Sequence, residues 1–147
     1  MTQKWICISN KTNIEIMLKN DVWGVAERYQ NIISKVKKGD ILLFYKMQEG
    51  SGKVIIPSLV IGIFEVISDV YYDPKPLFKA GPRMGNETFP QRIRIKPIKI
   101  FKKPIEFKPL IDELSFIKNK KMWSGSLRTA MRVIPEEDYQ KIISAEN

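Results

Sequence analysis

The chain has no histidine and a single cysteine, Cys7. Without histidine there is no His-dependent triad and no imidazole general base, and zinc sites built from His and Cys are excluded. One cysteine leaves no internal disulfide and fits a reducing compartment. Placed in mid-strand, Cys7 reads as a packing residue and not as a nucleophile. No apolar run approaches the length of a membrane span, and Met1-Thr2-Gln3-Lys4 leads into a strand-like pattern without a signal peptide. A cytoplasmic protein with no membrane partner is therefore expected. The glycine-rich phosphate loop of the strand–GxxxxGK[ST]–helix kind is also missing, and Gly81 to Gly85 reads only as loop. Carboxylates cluster at Asp112-Glu113 and Glu136-Glu137-Asp138, where helix capping accounts for them. Two-carboxylate glycosidase chemistry stays open on composition, but no feature points to it. No catalytic residue, metal or cofactor is assigned.

Basic charge is what the chain has in excess. Lys and Arg number 25 against 16 Asp and Glu, a formal net charge of +9. Such an excess favours a polyanion, whether nucleic acid, an acidic membrane surface or an acidic protein, or else serves only solubility. At 147 residues, 44% hydrophobic and 28% charged, the sequence has the balance of one globular domain spanning 1–147.

Hydrophobic periodicity gives the order β-α-β-β-β-α-α. Lys4 to Ile8 is a strand with apolar residues on both faces. Thr12 and Glu15 have capping-box spacing and predict a helix whose Ile14, Met17 and Leu18 share a face. A second short amphipathic piece runs from Tyr29 to Val36. Ile41 to Tyr45 is a central strand, and Gln48 to Lys53 an exposed loop. Leu59 to Tyr72 predicts one long strand, with a bulge or close approach at Gly62. Asp73 to Thr88 is too long for a plain connector. Phe89 to Phe101 is a half-buried strand with Arg92, Arg94 and Lys96 on its outer face, and Ile105 to Phe107 continues it beyond Pro104. Pro109 to Leu114 predicts a helical turn. Ser124 or Ser126 predicts the cap of a helix through Leu127, Ala130 and Met131, and Pro135 opens a last helix with acids in its first turn. The class is α+β, a small mixed domain with a curled sheet.

Val22-Trp23-Gly24-Val25 is the stretch with most to say about function. Gly24 lacks a Cβ, so a flat ligand or another backbone can come close to the Trp23 ring. Two readings follow: Trp23 is one face of a slot for a planar group such as an extruded base, or a core tryptophan closing a small barrel. Basic residues interleave with aromatics in the second half, where Arg92, Arg94, Lys96, Lys120, Lys121 and Arg128 are candidates for holding phosphates.

Several motifs resemble the EVE domain family. They are Ile6-Cys7-Ile8-Ser9-Asn10, Val22-Trp23-Gly24-Val25 and Gly39-Asp40-Ile41-Leu42-Leu43-Phe44-Tyr45. The later Glu87-Thr88-Phe89-Pro90, Phe107-Lys108-Pro109-Leu110-Ile111, Phe116 to Lys120 and Ile134 to Tyr139 fit the same family. The resemblance covers essentially the whole chain. It implies a PUA-like curled mixed β-barrel flanked by short helices, close to the YTH domain, whose members read N6-methyladenosine in an aromatic cage. For EVE domains it implies recognition of modified bases such as methylated cytosines. By the YTH pattern Ser9 and Asn10 follow the first strand and Trp23 the first helix, so Asn10 would bond a base edge and Trp23 would stack on its face. The chain departs from YTH where Gly24 replaces a serine, and Tyr72, Phe78 and Phe89 are the candidates for the second wall. Main-chain groups at Gly24 and Val25 would complete the site.

The expectation is a non-enzymatic module that binds DNA or RNA through a modified base, with any effector protein acting in trans. The alternatives are a PUA-like RNA-binding factor that ignores modification, and an enzyme acting on a small nucleotide.

Overall fold

The computed structural model describes residues 2–146. A seven-stranded mixed sheet forms its centre. β1 (Lys4–Ser9) lies parallel to β3 (Ile41–Lys46), and every other pairing in the sheet is antiparallel. The order is β2 (Val22–Val25), β8 (Gln91–Glu106), β6 (Leu59–Val66), β3, β1 and β9 (Met131–Ile134), with the short β7 (Tyr71–Tyr72) pairing on β8. β4 (Glu49–Ser51) and β5 (Val54–Ile56) form a separate hairpin.

β1 and β3 are apolar on both faces because both faces are covered. On one side Trp5, Cys7, Leu42 and Phe44 join Trp23, Phe64 and the inner face of α1 (Lys11–Asn20). On the other, Ile6, Leu43 and Tyr45 pack with Phe107, Leu114 and the inner face of α2 (Glu136–Ile143). Ile14 and Met17 are buried as the helical spacing requires, with Leu18 beside them.

Gly62 lets the sheet curl. The β6–β8 register shifts beside it, and a Cβ there would stand 2.7 Å from the Lys99 carbonyl. The curl makes a half-barrel and brings β2 from one end of the sheet toward the β1 and β9 end.

Local structure departs from the sequence reading in four places. The first helix is capped by Asn10, whose Oδ1 accepts from the Asn13 N–H at 2.9 Å, so the Thr12–Glu15 capping box does not form. The stretch from Gln48 to Lys53 holds β4 and the turn into β5. The long strand ends at Val66, and Tyr71–Tyr72 pairs separately. The helix expected through Ala130 and Met131 is β9, with a 3-10 segment at Trp123–Leu127 before it. The edge of β1 explains the last difference: Met131 pairs with Cys7 and Ile134 with Lys4, closing an otherwise open apolar strand. The helical turn expected at Pro109 to Leu114 is present as a 3-10 segment over Lys108–Glu113.

Candidate functional site

A cavity of about 60 Å³ lies at the seam of the half-barrel. Trp23, Gly24, Val25 and Ala26 line it from β2 and its end, Ile8 and Ser9 from β1, and Ala130 from the segment entering β9. Asn13 and Tyr29 add polar and aromatic surface, while Phe78 and Phe89 come from the long loop between β7 and β8.

Trp23 is only 3% exposed. Its ring packs edge-to-face on Phe44, with centroids 5.1 Å apart, and on Phe78 at 6.4 Å; Phe78 meets Phe89 the same way at 6.1 Å. Trp5 is equally buried, but its indole nitrogen donates to Asp40 at 3.0 Å. The Trp23 Nε1 is buried without a hydrogen-bond partner among the described residues. Leaving such a donor unpaired costs about 1–3 kcal/mol, a cost that a ligand acceptor would remove.

Gly24 does what a residue without Cβ can do, though the group that approaches is the protein's own chain. A Cβ there would lie 2.8 Å from the Phe89 carbonyl oxygen, 2.9 Å from Phe78 Cε2 and 3.1 Å from Arg92 Cγ. Phe89 itself holds φ at 53°, in the left-handed region.

The remaining candidates divide. Ser9, Trp23, Gly24, Val25, Phe78 and Phe89 come together around the cavity. Asn10 does not; it is exposed and its side chain caps α1. The asparagine at the cavity is Asn13, whose amide grips the loop main chain, accepting from Lys79 N at 2.8 Å and donating to Lys79 O at 3.0 Å. Tyr72 is 61% exposed and lies outside the cavity.

Among the phosphate candidates, Arg92 is buried under the loop. It donates to the carbonyls of Lys75, Thr88 and Phe89, pairs with Asp73 and stands over the Phe78 ring, which makes it a loop clamp. Lys120 is likewise committed, donating to the carbonyls of Ile111 and Leu114. Lys96 is exposed and pairs with Glu65 at 3.6 Å. Arg94 is exposed over the Tyr71 ring, and Lys121 and Arg128 are exposed.

Sequence reasoning passed over Asn13 and Tyr29. Asn13 stood inside the expected capping box, and Tyr29 opened a short amphipathic piece; its aromatic ring, four residues after Val25, was the available signal. Burial pushes the Cys7 thiol well above the ordinary thiol range, so it stays neutral. Among the described residues no three His, Cys, Asp or Glu side chains cluster to hold a metal, and no helix is long and apolar enough to cross a membrane.

Comparison with known proteins places this geometry. A UPF0310 protein of Pyrococcus abyssi is 48% identical over 141 residues, covering 95% of this chain and 96% of the relative. A UPF0310 protein of Pyrococcus horikoshii is 49% identical, covering 94% of each. Solved structures share the fold at low identity. The human THYN1 protein, in complex with DNA containing 5-methylcytosine, has a TM-score of 0.65 and 14% identity, with 99% of this chain and 98% of that chain covered. The Mmi1 YTH domain, in complex with RNA, has a TM-score of 0.66 and 15% identity, with 99% and 78% covered. The profile of the EVE domain matches residues 3–145. With that match over nearly all of its length, the chain belongs to the EVE domain family.

Proposed function

We propose that this chain is a non-catalytic nucleic-acid-binding module that accepts an extruded, modified base in the Trp23 cavity. The observation that carries this reading is the unpaired indole N–H of Trp23 on the wall of an aromatic cavity at the seam of the sheet. An acceptor on a base edge would satisfy that donor, and Ser9 adds a hydroxyl to the same lining. The nucleic-acid complexes of the human THYN1 protein and the Mmi1 YTH domain, which share the fold, support the same class of partner.

The cavity is narrow for that task. Its 60 Å³ has room for a few waters, less than a nucleobase needs. Entry of a base therefore requires Phe78 and Phe89 to retract. Both belong to one loop, so a single movement widens the slot. Extrusion costs a few kcal/mol, stacking on Trp23 returns about 1–3 kcal/mol, and a fitted methyl adds about 1–3 kcal/mol.

The narrowness also favours a second reading, an RNA-binding accessory factor that works by charge and shape with no base in the cavity. Fluorescence titration with short oligonucleotides that differ only in one methylated base separates the two. The first reading expects unequal affinities that Trp23→Ala makes equal while weaker electrostatic binding persists. Equal affinities in the unaltered protein would leave only the second.

A further inference from the structure

Arg132 marks a polar site that the Trp23 cavity does not include. It lies on β9, bordering a depression of about 530 Å³ with Ser115, Lys118 and Ser126. Its guanidinium carbon stands 5.0 Å from the centroid of the Phe116 ring, and Nη1 donates to the Ser126 carbonyl at 3.1 Å. Stacking and that one bond hold the planar fork in place. The Nε atom, however, is buried and has no partner among the described residues. A second depression, of about 340 Å³, borders the same arginine with Lys35 and Thr129.

Two acids back this groove, their carboxylates taken up by Ser115 and Phe116 of its lining. Asp138 accepts from Ser115 N, Ser115 Oγ and Phe116 N, and Glu137 accepts from Ser115 Oγ. Lys118 is exposed and lines the same groove, which therefore carries both a guanidinium and an ammonium.

We infer that the Arg132 groove binds a phosphate oxyanion, with the guanidinium fork taking two oxygens and Lys118 a third. An anion oxygen at the Nε edge of the fork would satisfy a donor that the fold leaves unpaired. The anion is either a phosphodiester of the nucleic acid or a free phosphate, and the site stands whether or not a base enters the Trp23 cavity.

The side-chain Nε–H resonance of Arg132, assigned by its absence in Arg132→Lys, reports directly on this site. It is followed during titration with inorganic phosphate at constant ionic strength, and separately with an unmodified single-stranded oligonucleotide. A saturable shift is expected with at least one probe and should persist in Trp23→Ala. A shift with phosphate alone identifies a free-anion site, and one with the oligonucleotide identifies a phosphodiester site. Arg132→Lys keeps the charge but not the fork, so affinity for the active probe should fall roughly tenfold, the loss of one charge-assisted hydrogen bond. If that variant fails to fold, Lys118→Ala tests the same groove from its exposed side and should also weaken binding. A resonance unmoved by both probes, an equal shift with sodium chloride, or undiminished affinity in the folded variants would overturn the inference.

Discussion

Gly24 illustrates how one residue can be read correctly in kind and mistaken in object. The missing Cβ admits a close neighbour, and that neighbour is the Phe89 carbonyl, with Phe78 and Arg92 just behind it. Gly24→Ala would push its methyl against the Phe89 backbone, since the carbonyl oxygen at 2.8 Å is not the end of a flexible side chain. Overpacking of this kind costs about 1–3 kcal/mol, so the denaturation midpoint should fall clearly. Gly81→Ala, with nothing within 4 Å of its new Cβ, is the matched control and should leave stability unchanged. Equal midpoints for the two variants would show that the loop does not press on Gly24. At this scale residue type was legible in part: Trp23 and Gly24 do line a cavity, while the ring itself is packed in the hydrophobic core, as the second of its two readings had it. Hydrogen-bond partners were not. Asn10 and Asn13 are chemically identical, and only the start of α1 decides that the first caps the helix and the second reaches Lys79.

The loop joining β7 to β8 shows what periodicity conveys and what it hides. Alternation along β8 put Arg92, Arg94 and Lys96 on one face, and in the structure Arg94 and Lys96 are exposed. Arg92 is covered because the loop folds back over that end of the strand, a contact that no local pattern records. β9 was hidden for a related reason. Leu127, Ala130 and Met131 have helical spacing, but the free edge of β1, far away in sequence, recruits the segment as a strand. The loop is held at three points, by Arg92 on three carbonyls, by Asn13 on Lys79 and by Glu87, which accepts from the Glu27 N–H at 3.3 Å. Asn13→Ala removes the second hold and leaves the others. Hydrogen exchange in the 73–90 segment should rise well above that of β3 and β6, with a stability loss of about 1–3 kcal/mol for the unpaired Lys79 groups. Arg92→Leu should release the same segment more completely. Unchanged exchange in both variants would mean that aromatic packing and the Glu87–Glu27 bond hold the loop, and that opening the cavity does not depend on Asn13 or Arg92.

At the scale of the whole molecule, charge acts in two directions. A net charge of +9 repels itself in the folded state, where ion pairs such as Lys11–Glu15 and Lys38–Asp69 are exposed and contribute little. The same charge draws a polyanion, and counterion release makes that attraction steeply dependent on salt. Of the cations named from sequence, Arg92 and Lys120 are occupied within the fold, whereas Arg94, Lys121 and Arg128 stay exposed; the Arg132 groove adds one more. Roughly four phosphate contacts on a single strand would weaken binding about fiftyfold between about 50 and 200 mM salt. Over the same range, screening relieves self-repulsion, so the thermal midpoint of the free protein should rise or hold steady. The two quantities move oppositely, which separates loss of binding from loss of fold within one salt series. Affinity that falls only as the melting temperature falls would trace the weakening to unfolding, and the electrostatic account of partner binding would then fail.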